Sequence, residues 1–193
     1  MPQIETHPFA PILPPQAKVM MGTFPPKPDK RCMEFHYPNF QNDMWRIYGL
    51  VFFNDAAYFQ SSNQRCFEPE KIRDFLWQKG IALCPTVVKA IREQDNASDK
   101  FLKIVETVDL AHVLKQVPHC RWLFTTGGKA TEALLSLLLE KHPAPKTNQF
   151  IDFLFPQHSL KLYRLPSTSR AYPLSLAKKA DAYRHFFQLA GLL

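Results

Sequence analysis

Lys18-Val-Met-Met-Gly-Thr-Phe-Pro-Pro26 decides the layout of this chain. A short apolar run stopped by a glycine and two prolines reads as a buried strand that ends in a turn. The same strand-then-turn pattern recurs downstream, with helices between. Asn42-Asp43 precedes Met44, Trp45, Ile47, Tyr48 and Val51, whose spacing predicts one apolar helical face with an N-cap ahead of it. Pro69-Glu70 opens a second amphipathic helix through Ile72, Phe75 and Leu76, closed by Gly80. Ile81 to Cys84 is the next strand, and Pro85 with the polar stretch Arg92 to Asp99 predicts a loop, with or without a short helix inside it.

Asp109 to Val117 reads as a helix, and Arg121 to Thr125 as a strand ended by Gly127-Gly128. Ala130 to Leu139 is the clearest helical segment. Phe150 to Phe155 and Leu160 to Leu165 are extended runs around Pro156-Gln157-His158, and a helix from about Leu174 to Leu189 closes the chain. Strands that alternate with helices favour a layered α/β fold with a mostly parallel sheet, because crossover helices cover both faces. Ligands of such sheets bind beyond the carboxyl ends of the strands, which directs attention to the loops after Gly22, Leu83, Thr125 and Leu165. No internal repeat or linker divides the chain, so residues 1–193 are read as one domain, with residues 1–16 as an N-terminal arm.

Composition narrows the class. A chain of 193 residues with 46% hydrophobic content can bury one sizeable core. Charges or prolines interrupt every apolar run, so no membrane span is expected. Residues Met1 to Pro15 lack the basic start and apolar stretch of a signal peptide, which predicts a cytoplasmic protein. The four cysteines, Cys32, Cys66, Cys84 and Cys120, show neither C-x-x-C pairs nor metal-ligand spacing, so free thiols and no metal are expected. The net charge of +7 is concentrated toward the end, where Lys161, Arg164, Arg170, Lys178, Lys179 and Arg184 outweigh Asp181. That asymmetry suits a polyanionic partner, although a basic solvated surface produces it too. Trp45, Trp77 and Trp122 are expected in the core, while His36, His158 and Cys84 have no partner at a spacing that suggests nucleophilic or metal chemistry.

Two of the loops carry a resemblance. Gly22-Thr-Phe-Pro25 and Leu165-Pro-Ser-Thr-Ser169 resemble the two signature motifs of the uracil-DNA glycosylase superfamily. Pro38 through Asn42-Asp-Met-Trp45 resembles the P-x-N-x-F-W stretch of its mismatch-specific and hypoxanthine-DNA glycosylase branches, and Gly80-Ile-Ala-Leu83 the G-I-A-L-W-D segment of the latter. Arg92 to Asp99 falls where that branch has R-x-G-S-x-D, and Thr126-Gly-Gly-Lys-Ala130 resembles its N-G-x-K-A turn. The chain departs from the pattern with Phe24 where many members place Asp or Asn, extra residues between Pro38 and Asn42, Cys84-Pro85 for Trp-Asp, and Arg170 where the branch has proline.

The resemblance implies a three-layer α/β/α sandwich with a central, mostly parallel, four-stranded sheet. It also implies a monomeric DNA glycosylase that needs no cofactor and acts on DNA containing a damaged or mismatched base. Such an enzyme flips a deaminated base, uracil or hypoxanthine, into a pocket and hydrolyses its N-glycosidic bond. Two other readings stay open: a DNA-binding relative that has lost chemistry, and an enzyme for free nucleosides or nucleotides.

By the same resemblance Asn42 places the attacking water, though its position also fits a plain helix cap. Gly22 and Thr23 offer backbone N–H groups at the base pocket. Phe24 stacks on the base or is an ordinary core aromatic, and Tyr37 is a second stacking wall or simply loop packing. Ser167, Thr168 and Ser169 grip backbone phosphates or are turn residues. Arg170 fills the space left by the base, pairs with a phosphate, or is a solvated arginine.

Overall fold

A computed structural model of the chain describes residues 3–24, 26, 28–92 and 102–193. Pro25 and residues 93–99 of the proposed Arg92 to Asp99 loop lie outside the described residues. Thirteen helices and strands of the model matter here. They run β1 (Ile4–Thr6), β2 (Val19–Thr23), α1 (Met44–Phe53), α2 (Pro69–Lys79), β3 (Ile81–Pro85), β4 (Val87–Arg92), β5 (Leu102–Thr107), α3 (Leu110–Gln116), β6 (Trp122–Thr126), α4 (Gly128–Leu135), β7 (Gln149–Phe155), β8 (His158–Leu165) and α5 (Leu176–Leu189).

The main sheet has the order β3-β2-β6-β8-β7. Its first four strands are mutually parallel, and β7 joins antiparallel through the hairpin with β8. The sheet is therefore five strands wide, one more than the four expected, because the Phe150 to Phe155 run pairs along the edge.

Strand alternation sorts the core into two layers. Val19 and Met21 face one side, where they meet α1, α2 and α5 through Trp45, Tyr48, Phe75, Leu76, Tyr183 and Phe187. Met20, Ala82 and Leu123 face the other side, against Leu110, Val113 and Leu114 of α3 and Leu134 of α4. These are the three layers of an α/β/α sandwich.

Several local expectations change. The segment after Pro85 is not wholly a loop: Val87–Arg92 forms β4, the middle strand of a small antiparallel sheet ordered β1-β4-β5. The arm supplies one of its edges, a partner that local patterning could not reveal. α4 stops at Leu135, and Leu139 is exposed. Trp77 is half exposed, whereas Trp45 is buried as expected.

Two of the four cysteines are not free thiols. Cys32 and Cys66, 34 residues apart, are joined by a disulfide with their Cα atoms 5.5 Å apart. The fold brings together two loops far apart in sequence, so the spacing test, which looks for neighbours, missed the pair. Cys84 and Cys120 are free and buried, and burial pushes both thiols up to about 12.

Candidate functional site

The chain enters the sheet at β2, crosses to β3 on one side and then to β6 on the other, so a crevice opens beyond the carboxyl ends of β2 and β6. A cavity of about 920 Å³ lies there. Its walls include Thr23 and Phe24 at the end of β2, Tyr37 and Asn42 ahead of α1, Thr126 and Gly127 at the end of β6, and Ser167 to Arg170 after β8.

The loop ahead of α1 is held in place from within. Asn42 Oδ1 accepts from the Met44 N–H at 2.9 Å, so it satisfies one of the orphan donors at the start of α1. Its amide NH2 and second lone pair have no partner among the described residues. Asp43, in the cap position proper, makes no cap bond. Its carboxylate instead accepts from Lys179 Nζ at 3.0 Å and lies 3.4 Å from Arg170 Nε.

Lys179 ties the two loops together. It is 1% exposed, and the same ammonium donates to the Ser169 carbonyl at 2.8 Å. The Asp43 N–H donates to the Thr168 carbonyl at 3.0 Å, and the Tyr183 hydroxyl to that of Pro166 at 3.2 Å. The Ser167 and Ser169 hydroxyls accept from the N–H groups of Ser169 and Ala171, both at 3.2 Å. Each still has an O–H to donate outward.

Part of the lining is aromatic. Tyr37 adopts φ 52°, a left-handed backbone that a bulky residue rarely takes. Its hydroxyl lies 3.4 Å from Thr126 Oγ1. His7 and His36 sit with ring centroids 5.4 Å apart, and burial, with the charge of His36 and Arg31 at His7 and of Arg73 at His36, pushes both down to about 4. Both are thus uncharged at neutral pH. The Phe9 N–H donates to His7 Nδ1 at 3.2 Å, which leaves the His7 proton on Nε2, 3.3 Å from Thr23 Oγ1. Lys30, Arg92, Lys129, Arg164 and Arg170 also line the cavity, with Glu132 as the carboxylate among the lining residues. Among the described residues, no group of three or more His, Cys, Asp or Glu could hold a metal ion.

A solved structure shares this fold. The solution NMR structure of a protein from Methanosarcina acetivorans, named a "putative Uracil DNA glycosylase", matches with a TM-score of 0.62 and 20% identity over 95% of this chain and 98% of that one. The chain has a uracil-DNA-glycosylase-like fold. No family model and no curated protein matches it.

Within this glycosylase-like fold, Thr23, Phe24, Tyr37, Asn42, Ser167, Thr168, Ser169 and Arg170 all border the one cavity. Gly22 does not. It is buried one residue earlier on β2, where an added Cβ would stand 2.9 Å from Thr86 Cγ2, so the strand needs glycine there for packing. Thr168 is also buried, and what it contributes to the loop joint is its carbonyl.

Sequence reasoning missed His7 and Phe9 in the arm, and the Asp43–Lys179 joint. Lys179 did leave a signal: it lies in the buried stripe of α5 with Ala180, Tyr183, Phe186 and Phe187. A lysine inside an apolar stripe calls for a buried partner. The arm residues left none, because their roles depend on a sheet pairing 85 residues away, such as Glu5 with Ala90.

Proposed function

We propose that this chain is a monofunctional DNA glycosylase of the hypoxanthine-specific or mismatch-specific kind. It acts as a monomer, flips uracil or hypoxanthine out of DNA, and hydrolyses its N-glycosidic bond. The observation that carries the reading is convergence: residues singled out on three connections, β2 to α1, β6 to α4 and β8 to α5, border a single cavity at the sheet's switch point.

The chemistry of each group supports a role for it. A base inside a duplex must be extruded before its sugar bond can be reached, so a pocket and contacts to the strand around it are both required. Phe24 and Tyr37 supply aromatic faces for the base. Ser167 and Ser169 keep O–H donors for phosphates, and Arg170, with 51% of its side chain exposed, is available to the DNA side. Bond cleavage leaves cationic character on the sugar and negative charge on the departing base. The cationic rim favours the anion. Asn42, its rotamer fixed by the Met44 N–H, retains a lone pair and two protons to orient water toward the sugar.

The same Asn42 bond favours a second reading, a DNA-binding relative without chemistry, because the bond alone explains why the residue is there. One assay separates the two. Labelled single-stranded and duplex oligonucleotides with uracil, hypoxanthine or a mismatched thymine are incubated with the protein and then treated with alkali. Strand breaks at uracil or hypoxanthine are expected. Salt-sensitive binding without breaks would favour the second reading, and neither would point to a nucleoside or nucleotide substrate.

A further inference from the structure

The arm is built into the cavity. β1 pairs antiparallel with β4, the His7 N–H donates to the Val88 carbonyl at 2.7 Å, and Ile12 exchanges backbone hydrogen bonds of 2.9 Å with Leu83 on β3. Glu5 forms an ion pair of 3.1 Å with Arg92, itself a cavity residue. His36 Nε2 donates to the Ala10 carbonyl at 2.8 Å. These ties deliver two rings, His7 and Phe9, to the cavity wall. Phe9 meets His7 edge-on at 6.1 Å and His36 at 5.7 Å, and the Arg31 guanidinium lies 5.5 Å over its ring. Both arm residues are only half buried, so part of each ring remains open to what enters.

We infer that the arm supplies a wall of the base pocket, in which Phe9 and His7, backed by His36, hold an uncharged planar nucleobase opposite the loop motifs. This rests on the reading of the cavity as a base pocket. The physical ground is that the loops beyond β6 and β8 contribute mostly polar and cationic groups, while aromatic faces come from Phe24 and Tyr37. The arm adds an aromatic surface on which any base can stack. The two imidazoles are uncharged at neutral pH, so they present flat, neutral ring surfaces to a neutral base. Retention of the flipped base would then depend in part on residues that none of the loop motifs contains.

The test uses the full chain, its Phe9→Ala variant, and a duplex with uracil or hypoxanthine beside an undamaged duplex. Excision kinetics are expected to show KM for the lesion duplex raised about tenfold in Phe9→Ala, from the loss of one stacking contact, with a smaller change in kcat. In parallel, ring nitrogen NMR signals of His7 and His36 should move with the lesion duplex and not with the undamaged one. A folded Phe9→Ala enzyme with unchanged KM, or histidine signals indifferent to the lesion, would overturn the inference. If Phe9→Ala fails to fold, Phe9→Leu keeps the apolar bulk without the ring face and should show the same rise. If the wild-type protein releases no base, the proposed function falls. The wall is then judged by binding alone: lesion preference that Phe9→Ala abolishes upholds it, and its absence overturns it.

Discussion

At Asn42 one amide both starts a helix and borders the cavity, and substitution separates the two jobs. Asn42→Ala removes the acceptor for the Met44 N–H and should cost about 0.5–2 kcal/mol of stability in urea unfolding, the usual range for a lost cap. Base release should fall about a hundredfold or more, as expected when a positioned reactant is lost. Asn42→Asp keeps an acceptor for Met44. Near-wild-type stability with altered release would show that capping is not the whole role, whereas unchanged release in both variants would remove Asn42 from the chemistry. His7 and His36 give a residue-scale prediction of a different kind. Their ordinary value is 6.5, and burial pushes both down to about 4 in the fold, where His36 and Arg31 face His7, and Arg73 faces His36. Between these values the unfolded chain binds protons that the folded chain refuses, so stability rises with pH across this window. Thermal unfolding temperature should therefore fall as pH drops from 6.5 toward 4 and lose that slope below it. His7→Gln should flatten the slope by about half, one proton of two; a variant with the full wild-type slope would show that His7 is not one of the titrating groups.

Elements are joined at the site by contacts that can be cut one at a time. Lys179 on α5 bridges Asp43 at the start of α1 and the Ser169 carbonyl of the loop after β8. Lys179→Met leaves the buried Asp43 carboxylate with Arg170 at 3.4 Å and the charge of Arg46, and should cost about 3 kcal/mol, the low end for a buried ion pair that loses one partner. Lys179→Met combined with Asp43→Asn should recover much of that loss in denaturant titration; strictly additive losses would show that the two do not form a pair. The disulfide closes a 34-residue separation between the loop that leads to Tyr37 and the segment before α2. Reduction should lower unfolding free energy by about 3–4 kcal/mol, from the loop-closure entropy returned to the unfolded chain. In folded, reduced protein, alkylation should mark Cys32, which is partly exposed, and spare the buried Cys66, Cys84 and Cys120, the last two with thiols near 12. Labelling of all four without unfolding would contradict that burial.

Across the whole molecule, the net charge of +7 suits the proposed DNA partner, whose binding should weaken with salt, and Arg170→Ala should reduce the log–log salt slope by about one if the residue meets a phosphate. An unchanged slope would leave Arg170 a solvated partner of Asp43. Hydrophobic spacing and glycine or proline stops were enough to set α1, α2, α3, β2, β3, β6 and the β7–β8 hairpin in chain order, because these signals are local and each element must bury its own apolar face. The same local patterns marked the loops at the carboxyl ends of β2 and β8, and so most of the cavity's rim. Folding alone decided what depends on residues far apart in sequence. It built the arm into a wall, made β4 a strand by giving it β1 and β5 as partners, joined Cys32 to Cys66, and set Lys179 under two loops. Those contacts depend on proximity that only the packed layers create, and no periodicity along the chain encodes it.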